Sequence, residues 1–436
     1  MATTVISTHL GDRTRHRIAL RLLPYLFSLY VIAFLDRMNI STAALEMPHD
    51  LGFSDRVLGL GSGIFFLGYI LLEIPGSLIV ERWSARRWIA RIMFSWGLVT
   101  ITMAFIRTPH QFYTVRFLLG LAEAGFFPGV IVYLTHWFIY EDRAKAVANF
   151  MAAIPLSYVL GSPISGWLLG VNWMGIRGWR WLFIVEGIPA LVFGVVTWFY
   201  LTDRPREAKW LSPDERDWIA RQLEQERQAK KAAHSYTIWQ ALCHRDVLIL
   251  TAAYFVDNLA GFALSFWMPT MIKRVSGLAN FPVALLVAVP YIVAVLAMQL
   301  NGWHSDRTAE RRWHTAIPLL IAAAALLPLS LAELGTIPSV VLFAMAHAGL
   351  LAFVPSFWAM PSAFLSDTAA AVSTGAINCF AVGLGGFAGP ALLGYLATRS
   401  NSFRSGFACL VAALVAAGLL TLTLRVRRPE RVLTTA

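Results

Sequence analysis

Arg116 and Glu123 lie inside one apolar stretch, FYTVRFLLGLAEAGFFPGVIVYL, and Asp36-Arg37 interrupts another, PYLFSLYVIAFLDRMNISTAAL. A charged side chain at the centre of a bilayer costs about 2.5–3.5 kcal/mol on insertion scales, so such residues face a protein interior or a water-filled path. Seven residues at ~100° each return Arg116 and Glu123 to nearly one helix face, ~10.5 Å apart along the axis. Asp36 and Arg37, being neighbours, point ~100° apart and cannot form one simple pair. The economical arrangement pairs an acid of one stretch with an arginine of the other, and the four charges together are neutral, which limits the cost of burial. Two acids able to take up protons beside two arginines able to hold an anion make an ion and substrate pathway. The alternative is a static ion-pair network pinning two helices together.

The elements that must position these residues follow from composition. The chain has 436 residues, of which 57% are hydrophobic and only 14% charged, against roughly one-quarter charged in a soluble protein. Apolar segments of ~20 residues span ~30 Å of hydrocarbon. Twelve such segments fall at about 22–45, 58–80, 88–106, 112–136, 145–170, 180–201, 247–271, 281–303, 314–332, 338–361, 370–397 and 405–425. The first is too long for a removable signal peptide and lacks a small-residue cleavage site, so it is read as retained. An all-α polytopic membrane protein results, with a six-helix bundle over 1–201, a polar segment over 202–246 and a second six-helix bundle over 247–436. Within the polar segment SPDERDWIARQLEQERQ predicts a surface helix, with Ser212 as cap, Pro213 in the first turn and Glu215 completing a capping box. Lys and Arg number 26 on the side of the termini and central segment and 8 on the other, with Arg37 and Arg116 within spans. That bias places both termini in the cytoplasm. It also assigns the net charge of +11 to topology rather than to nucleic acid.

The halves repeat each other. ERWSARR follows span two and SDRTAERR follows span eight, so Glu81-Arg82 with Arg86 matches Asp306-Arg307 with Arg311 at identical internal spacing. A duplicated six-plus-six transporter predicts this recurrence. These loops resemble the signature of the major facilitator superfamily. AFLDRMNIS, GIFFLGYILLEIPG, ARRWIARIMFSWG, RFLLGLAEAGFFPGVIVYLTHWF, GWRWLFIVEGIPA, FWMPTMIK, FWAMPSAFL and INCFAVGLGGFAGP resemble, in order, its anion:cation symporter family. The resemblance covers essentially the whole chain and is nearest to the tartrate and hydroxyphenylacetate branch.

The resemblance implies proton-coupled uptake of a small organic anion, such as tartrate, a sugar acid or an aromatic carboxylate, by alternating access across an inner membrane. A functional monomer in membrane lipid is implied, with no nucleic acid partner. Asp36 and Glu123 would carry the proton and Arg37 and Arg116 the anion. Tyr69, Asn258, Trp358 and Asn378 match positions lining the substrate cavity. The two asparagines could equally bond neighbouring helices, and Trp358 could simply pack or anchor the interface. Glu73 and Glu186 read as structural, and Asp257 as either a selectivity or a pairing residue. Glu81, Arg82, Arg86, Asp306, Arg307 and Arg311 would form a cytoplasmic gate. An exporter of the same fold is the alternative, against which the paired arginines weigh. No nucleophile constellation, metal spacing or cofactor signature is present, since Cys243, Cys379 and Cys409 are far apart and GLGGFAGP lacks a strand and a GK[ST]. Neither an enzyme, a metal nor a cofactor is expected.

Overall fold

The computed structural model describes residues 2–231, 244–360 and 367–424. Twelve spans run in order: Ala2–Ala43, Asp55–Arg82, Ala85–Met103, Pro109–Glu123 with Phe126–Thr135, Tyr140–Met151 with Ala153–Leu169, Gly178–Tyr200, Arg245–Ser276, Asn280–Thr308, Arg312–Leu331, Thr336–Trp358, Asp367–Ser400 and Arg404–Thr421. Eleven of the twelve are long and apolar enough to cross a membrane on their own composition. Span three is the exception, because Arg86, Arg87 and Arg91 crowd its first turns. It packs on span six through Gly97 and Gly187, where a Cβ on either glycine would lie 2.8–3.0 Å from the other's carbonyl oxygen.

Span one begins far earlier than the apolar stretch. The basic segment before it is helical and docked rather than a loose tail: Arg15 donates twice to Asp142 at 2.6 Å, and Arg17 donates to Glu215 at 2.9 Å. The polar-segment helix, Pro213–Lys231, starts with the expected reciprocal cap. Ser212 N–H donates to Glu215 Oε2 at 2.9 Å, and Glu215 N–H donates to Ser212 Oγ at 3.3 Å.

Span four is interrupted, which the apolar pattern does not foretell. Its first helix ends at Glu123, Gly125 takes φ +80°, and a second helix begins at Phe126. Pro128 has no N–H to return to the Ala124 carbonyl, so a continuous ladder is impossible there. Only glycine reaches that φ without strain, and it also lets Gly125 and Gly76 meet closely.

The halves join along two lines. Spans two and eleven run antiparallel with glycines facing backbone. A Cβ on Gly59 would stand 2.4 Å from the Pro390 carbonyl oxygen, one on Gly63 2.5 Å from that of Phe387, and one on Gly386 2.5 Å from the Phe66 ring. Spans five and eight meet where Ser162 Oγ donates to the Ala284 carbonyl at 2.7 Å and the Tyr158 and Tyr291 rings stack at 4.2 Å. At the end of the bundle away from the termini and central segment, here the far end, Arg274 donates to both oxygens of Asp55 at 2.7 Å. One apolar cluster that runs the length of the second half continues at the far end into the first, uniting Met38, Phe53, Phe112 and Trp179 with Trp267 and Met271. The near end of the first half holds its own cluster around Leu29, Trp96, Tyr133 and Phe150. The halves are thus fused at the far end.

Candidate functional site

Close packing of spans two and four brings the first arginine inward. A Cβ on Gly120 would fall 1.9 Å from the Phe65 carbonyl oxygen and one on Gly68 2.3 Å from that of Phe117. At that spacing Arg116, 4% exposed, lays its guanidinium against the facing helix. Its Nε donates to the Gly61 carbonyl at 3.2 Å, its Nη2 to that of Ser62 at 3.3 Å, and the ring of Phe65 lies 4.8 Å away. Among the described residues Arg116 forms no ion pair.

Two turns on, Glu123 ends the first helix of span four, fully buried. Arg37 reaches it from span one, with Nε donating to Oε1 at 2.5 Å and Nη2 bonded to the same oxygen. Glu123 Oε2 has no partner among the described residues. Arg37 is further enclosed by the rings of Phe34, Phe65 and Tyr69, 5.1–6.0 Å from its guanidinium carbon. One of the expected cross-pairs therefore exists.

The other does not. Asp36, 1% exposed, points away from Arg37 toward span three and meets neutral donors. Trp96 Nε1–H donates to its Oδ2 at 2.5 Å, Thr100 Oγ1–H to the same oxygen at 3.0 Å, and Asn39 Nδ2–H to Oδ1 at 2.7 Å. The ~100° offset between consecutive helix residues splits the two charges between different neighbours. Trp96 and Thr100, four apart on one face, went unsingled in the sequence.

All four charges line one cavity of about 40 Å³, walled also by Ser41, Ser62 and Tyr158 from the first half and by Phe262, Ser265 and Phe266 from the second. That volume admits a few waters rather than an organic anion. Tyr69 joins the site through Arg37. Asn258, Trp358 and Asn378 stand outside the cavity lining. Asn258 Nδ2–H donates to its own helix at the Tyr254 carbonyl, 2.8 Å, and Trp358 packs edge-on to Tyr254 at 5.1 Å. Asn378 is half-buried on span eleven.

Of the loop residues, Arg86 pairs with Asp203, which follows span six; its N–H donates to Asp203 Oδ1 at 2.9 Å, and Ser84 Oγ donates to Oδ2 at 2.7 Å. Asp203 was not singled out in the sequence, being one polar residue in a polar segment. Asp306 pairs with Arg311 at 2.6 Å, and Arg307 sits 5.5 Å from the Trp303 ring. The side chains of Glu81 and Arg82 lie outside the described residues.

Comparison with known proteins now has a geometry to explain. A family model described as Major Facilitator Superfamily matches residues 26–390. A putative tartrate transporter of Agrobacterium vitis is 45% identical over 429 residues, covering 98% of each chain. A quinolone resistance transporter of Acinetobacter baumannii is 34% identical over 394 residues, covering 89% of each. Among solved structures, a bacterial homolog of the human lysosomal transporter Spinster, inward-facing and occupied, aligns with a TM-score of 0.76 at 18% identity, over 92% of this chain and 95% of that one. That last likeness carries the fold: twelve helices in two six-helix bundles. The chain belongs to the major facilitator superfamily, in its anion:cation symporter-like branch, and is a multi-pass membrane transporter of a small molecule, not an enzyme.

Proposed function

We propose that this transporter takes up a small organic carboxylate together with protons, by alternating access around the cavity between its halves. The observation that carries this reading is Arg116, a guanidinium buried at a cavity wall and held, among the described residues, by two carbonyl oxygens and a ring with no carboxylate bonded to it. A buried cation with no directly paired anion is costly, and a substrate carboxylate would supply one in bidentate form. Arg37 becomes available on demand. Protonating Glu123 removes the charge that holds it, leaving two arginines facing one cavity. Release of the proton on the other side lets Glu123 reclaim Arg37 and expel the anion. Asp36 is the second proton carrier, held ready by three neutral donors that an approaching charge does not displace.

The cavity must widen to admit such an anion. With the far end fused, access opens from the near end, by rocking of 1–201 against 247–436 about the 202–246 segment. In that motion Tyr69, Asn258, Trp358 and Asn378 come to face substrate. The loop residues Glu81, Arg82, Arg86, Asp306, Arg307 and Arg311 gate the near end. The 26 to 8 distribution of basic residues supports a cytoplasmic near end with both termini inside an inner membrane. A functional monomer in lipid suffices, since every group of the scheme belongs to one chain.

The test is uptake into proteoliposomes of tartrate, sugar acids and aromatic acids, with and without an inward proton gradient. Gradient-stimulated uptake of at least one carboxylate is expected; no stimulation for any overturns the coupling. The quinolone resistance relative favours a second reading, export of a larger metabolite or drug. Quinolone accumulation in inverted vesicles that Arg116→Gln leaves unchanged would favour it.

A further inference from the structure

Spans eight, nine and ten enclose a groove at the near end, apart from the cavity between the halves. It holds about 490 Å³, within the range of small-molecule sites. Its floor is span ten, where Ala348, Gly349 and Ala352 present almost no side chain. Its walls are Leu300 on span eight and Trp313, Ile317 and Ile321 on span nine, all 42–66% exposed. In a membrane protein such open apolar walls face hydrocarbon, so the groove opens sideways into lipid. From Trp313 to Ile321 is eight residues, or ~12 Å along the axis. That is close to one leaflet, half of the ~30 Å hydrocarbon core.

Polar groups hold the three spans in place around it. Pro318 has no N–H to return to the His314 carbonyl. Asn301 Nδ2–H from span eight fills that gap at 2.9 Å and also donates to the Ala352 carbonyl at 2.7 Å. One turn nearer the end, His304 Nδ1 and His314 Nε2 bridge the two walls at 2.6 Å.

Beyond this bridge charge is unbalanced. The turn after span eight carries Arg307, Arg311 and Arg312 against Asp306 and Glu310. Asp306 is taken by Arg311 at 2.6 Å. Glu310 accepts from the backbone N–H groups of Trp313 and His314 and from His314 Nδ1. Arg312 donates to the Leu422 carbonyl at 3.4 Å. Arg307 forms no ion pair among the described residues and rests beside the Trp303 ring. Seven residues on from Leu300, it stands on the same face as that wall, ~10.5 Å nearer the end. The exposed rings of Trp303 and Trp313 suit the headgroup level of a bilayer. An apolar slot about one leaflet deep, beneath an unpaired guanidinium, matches one acyl chain and one phosphate. We propose that this groove is a binding site for an acidic phospholipid, its chain lying on Ala348 and Ala352 and its phosphate held by Arg307.

Native mass spectrometry of the purified full-length protein tests this, titrated with palmitoyl-oleoyl-phosphatidylglycerol or the matching phosphatidylcholine. The first phosphatidylglycerol should bind about fivefold more tightly than the first phosphatidylcholine, the attraction of one arginine for an acidic headgroup. Equal affinities overturn the proposal. Arg307→Gln should erase the preference, while Arg399→Gln at the far end should keep it. A preference that survives Arg307→Gln, or is lost equally in both, overturns the site. Ala348→Leu should weaken the first binding of both lipids about tenfold, since its side chain displaces roughly two methylene groups from the groove. Should that variant fold poorly, Ala297→Leu on the span-eight wall replaces it. Unchanged affinity in the folded variant places the lipid elsewhere. Glycerol phosphate in large excess should not displace phosphatidylglycerol; displacement would make this a site for a free phosphate ester and overturn the lipid.

Discussion

The two six-helix halves share an architecture but differ in what they bury. The first half holds Asp36, Glu73, Arg116, Glu123 and Glu186 inside its spans, with Arg37 half-buried among them. Among the described residues in the middle of the second half, the buried carboxyl and imidazole groups are Asp257 and His347. Asp257 Oδ1 and His347 Nε2 have no partner among the described residues, and neither residue lines the cavity. The second half gives that cavity Phe262, Ser265, Phe266 and Pro390, which are neutral. One half thus buries the charges, and the other supplies the cavity with a neutral wall.

The sharpest way to break this comparison is to remove a charge from each half. Arg116→Gln should abolish carboxylate binding and uptake, by ~100-fold or more if the lost contact is worth the 3 kcal/mol or so typical of a buried charge interaction. Lys should not rescue, since a point charge cannot span two carbonyl oxygens as a planar fork does. Asp257→Asn should leave uptake within about threefold. Equal losses in proteoliposome uptake would erase the distinction. Glu123→Gln comes next. Without a carboxylate to reclaim Arg37, gradient-driven accumulation should fall to the level of passive equilibration while carboxylate exchange persists. Accumulation unchanged in that variant would remove Glu123 from the proton path.

What the sequence disclosed divides along physical lines. Interactions closed within a few residues were legible. The Ser212–Glu215 capping box needs only its own turn, and the spans need only length and apolarity. Positions set by packing were not. The break at Gly125 went unread because glycine and proline are both common in membrane helices, and only the approach of Gly76 gives this pair its purpose. Asp36 was expected to meet an arginine, since charge is visible in one dimension. Its partners, Trp96 and Thr100, are 60 and 64 residues away and neutral. Span three was recognisable as apolar, but its burial rests on a glycine contact with span six that spacing alone does not reveal.

The seam offers a test of intermediate size. Gly59→Val or Gly63→Val places carbon atoms where the backbone of span eleven already stands. Relief requires the halves to part at the far end. Overpacking of this kind costs about 1–3 kcal/mol, enough to shift the population five- to a hundredfold toward a far-end-open form. Thiol labelling of a cysteine introduced at Asp55 should accelerate accordingly. Gly261, with nothing within 4 Å of a built Cβ, is the matched control, and Gly261→Val should label at the wild-type rate. Similar labelling in both would mean that the seam does not hold the far end shut.

The smallest expected effect tests whether the first half is also tied to the central segment. Glu215 is buried and joins the helix cap to Arg17 at 2.9 Å and Arg13 at 3.4 Å. Burial pushes its carboxyl up, but the Ser212 backbone N–H and Arg17 together outweigh that and hold it below the ordinary value. A lowered carboxyl contributes stability that is complete above the unfolded value of about 4.3 and is lost as pH falls through the folded one. Both arginines are largely in solvent, so screening keeps the contribution modest. Glu215→Gln should therefore raise tryptic cleavage after Arg13 and Arg17 only a few-fold at neutral pH. Amide exchange over 10–20, which unlike trypsin can be followed in acid, should show the variant more open than wild type at pH 6 and indistinguishable from it near pH 3. A difference that persists unchanged into acid would mean that the Glu215 charge is not what docks the segment, and that apolar contacts of the helix hold it instead.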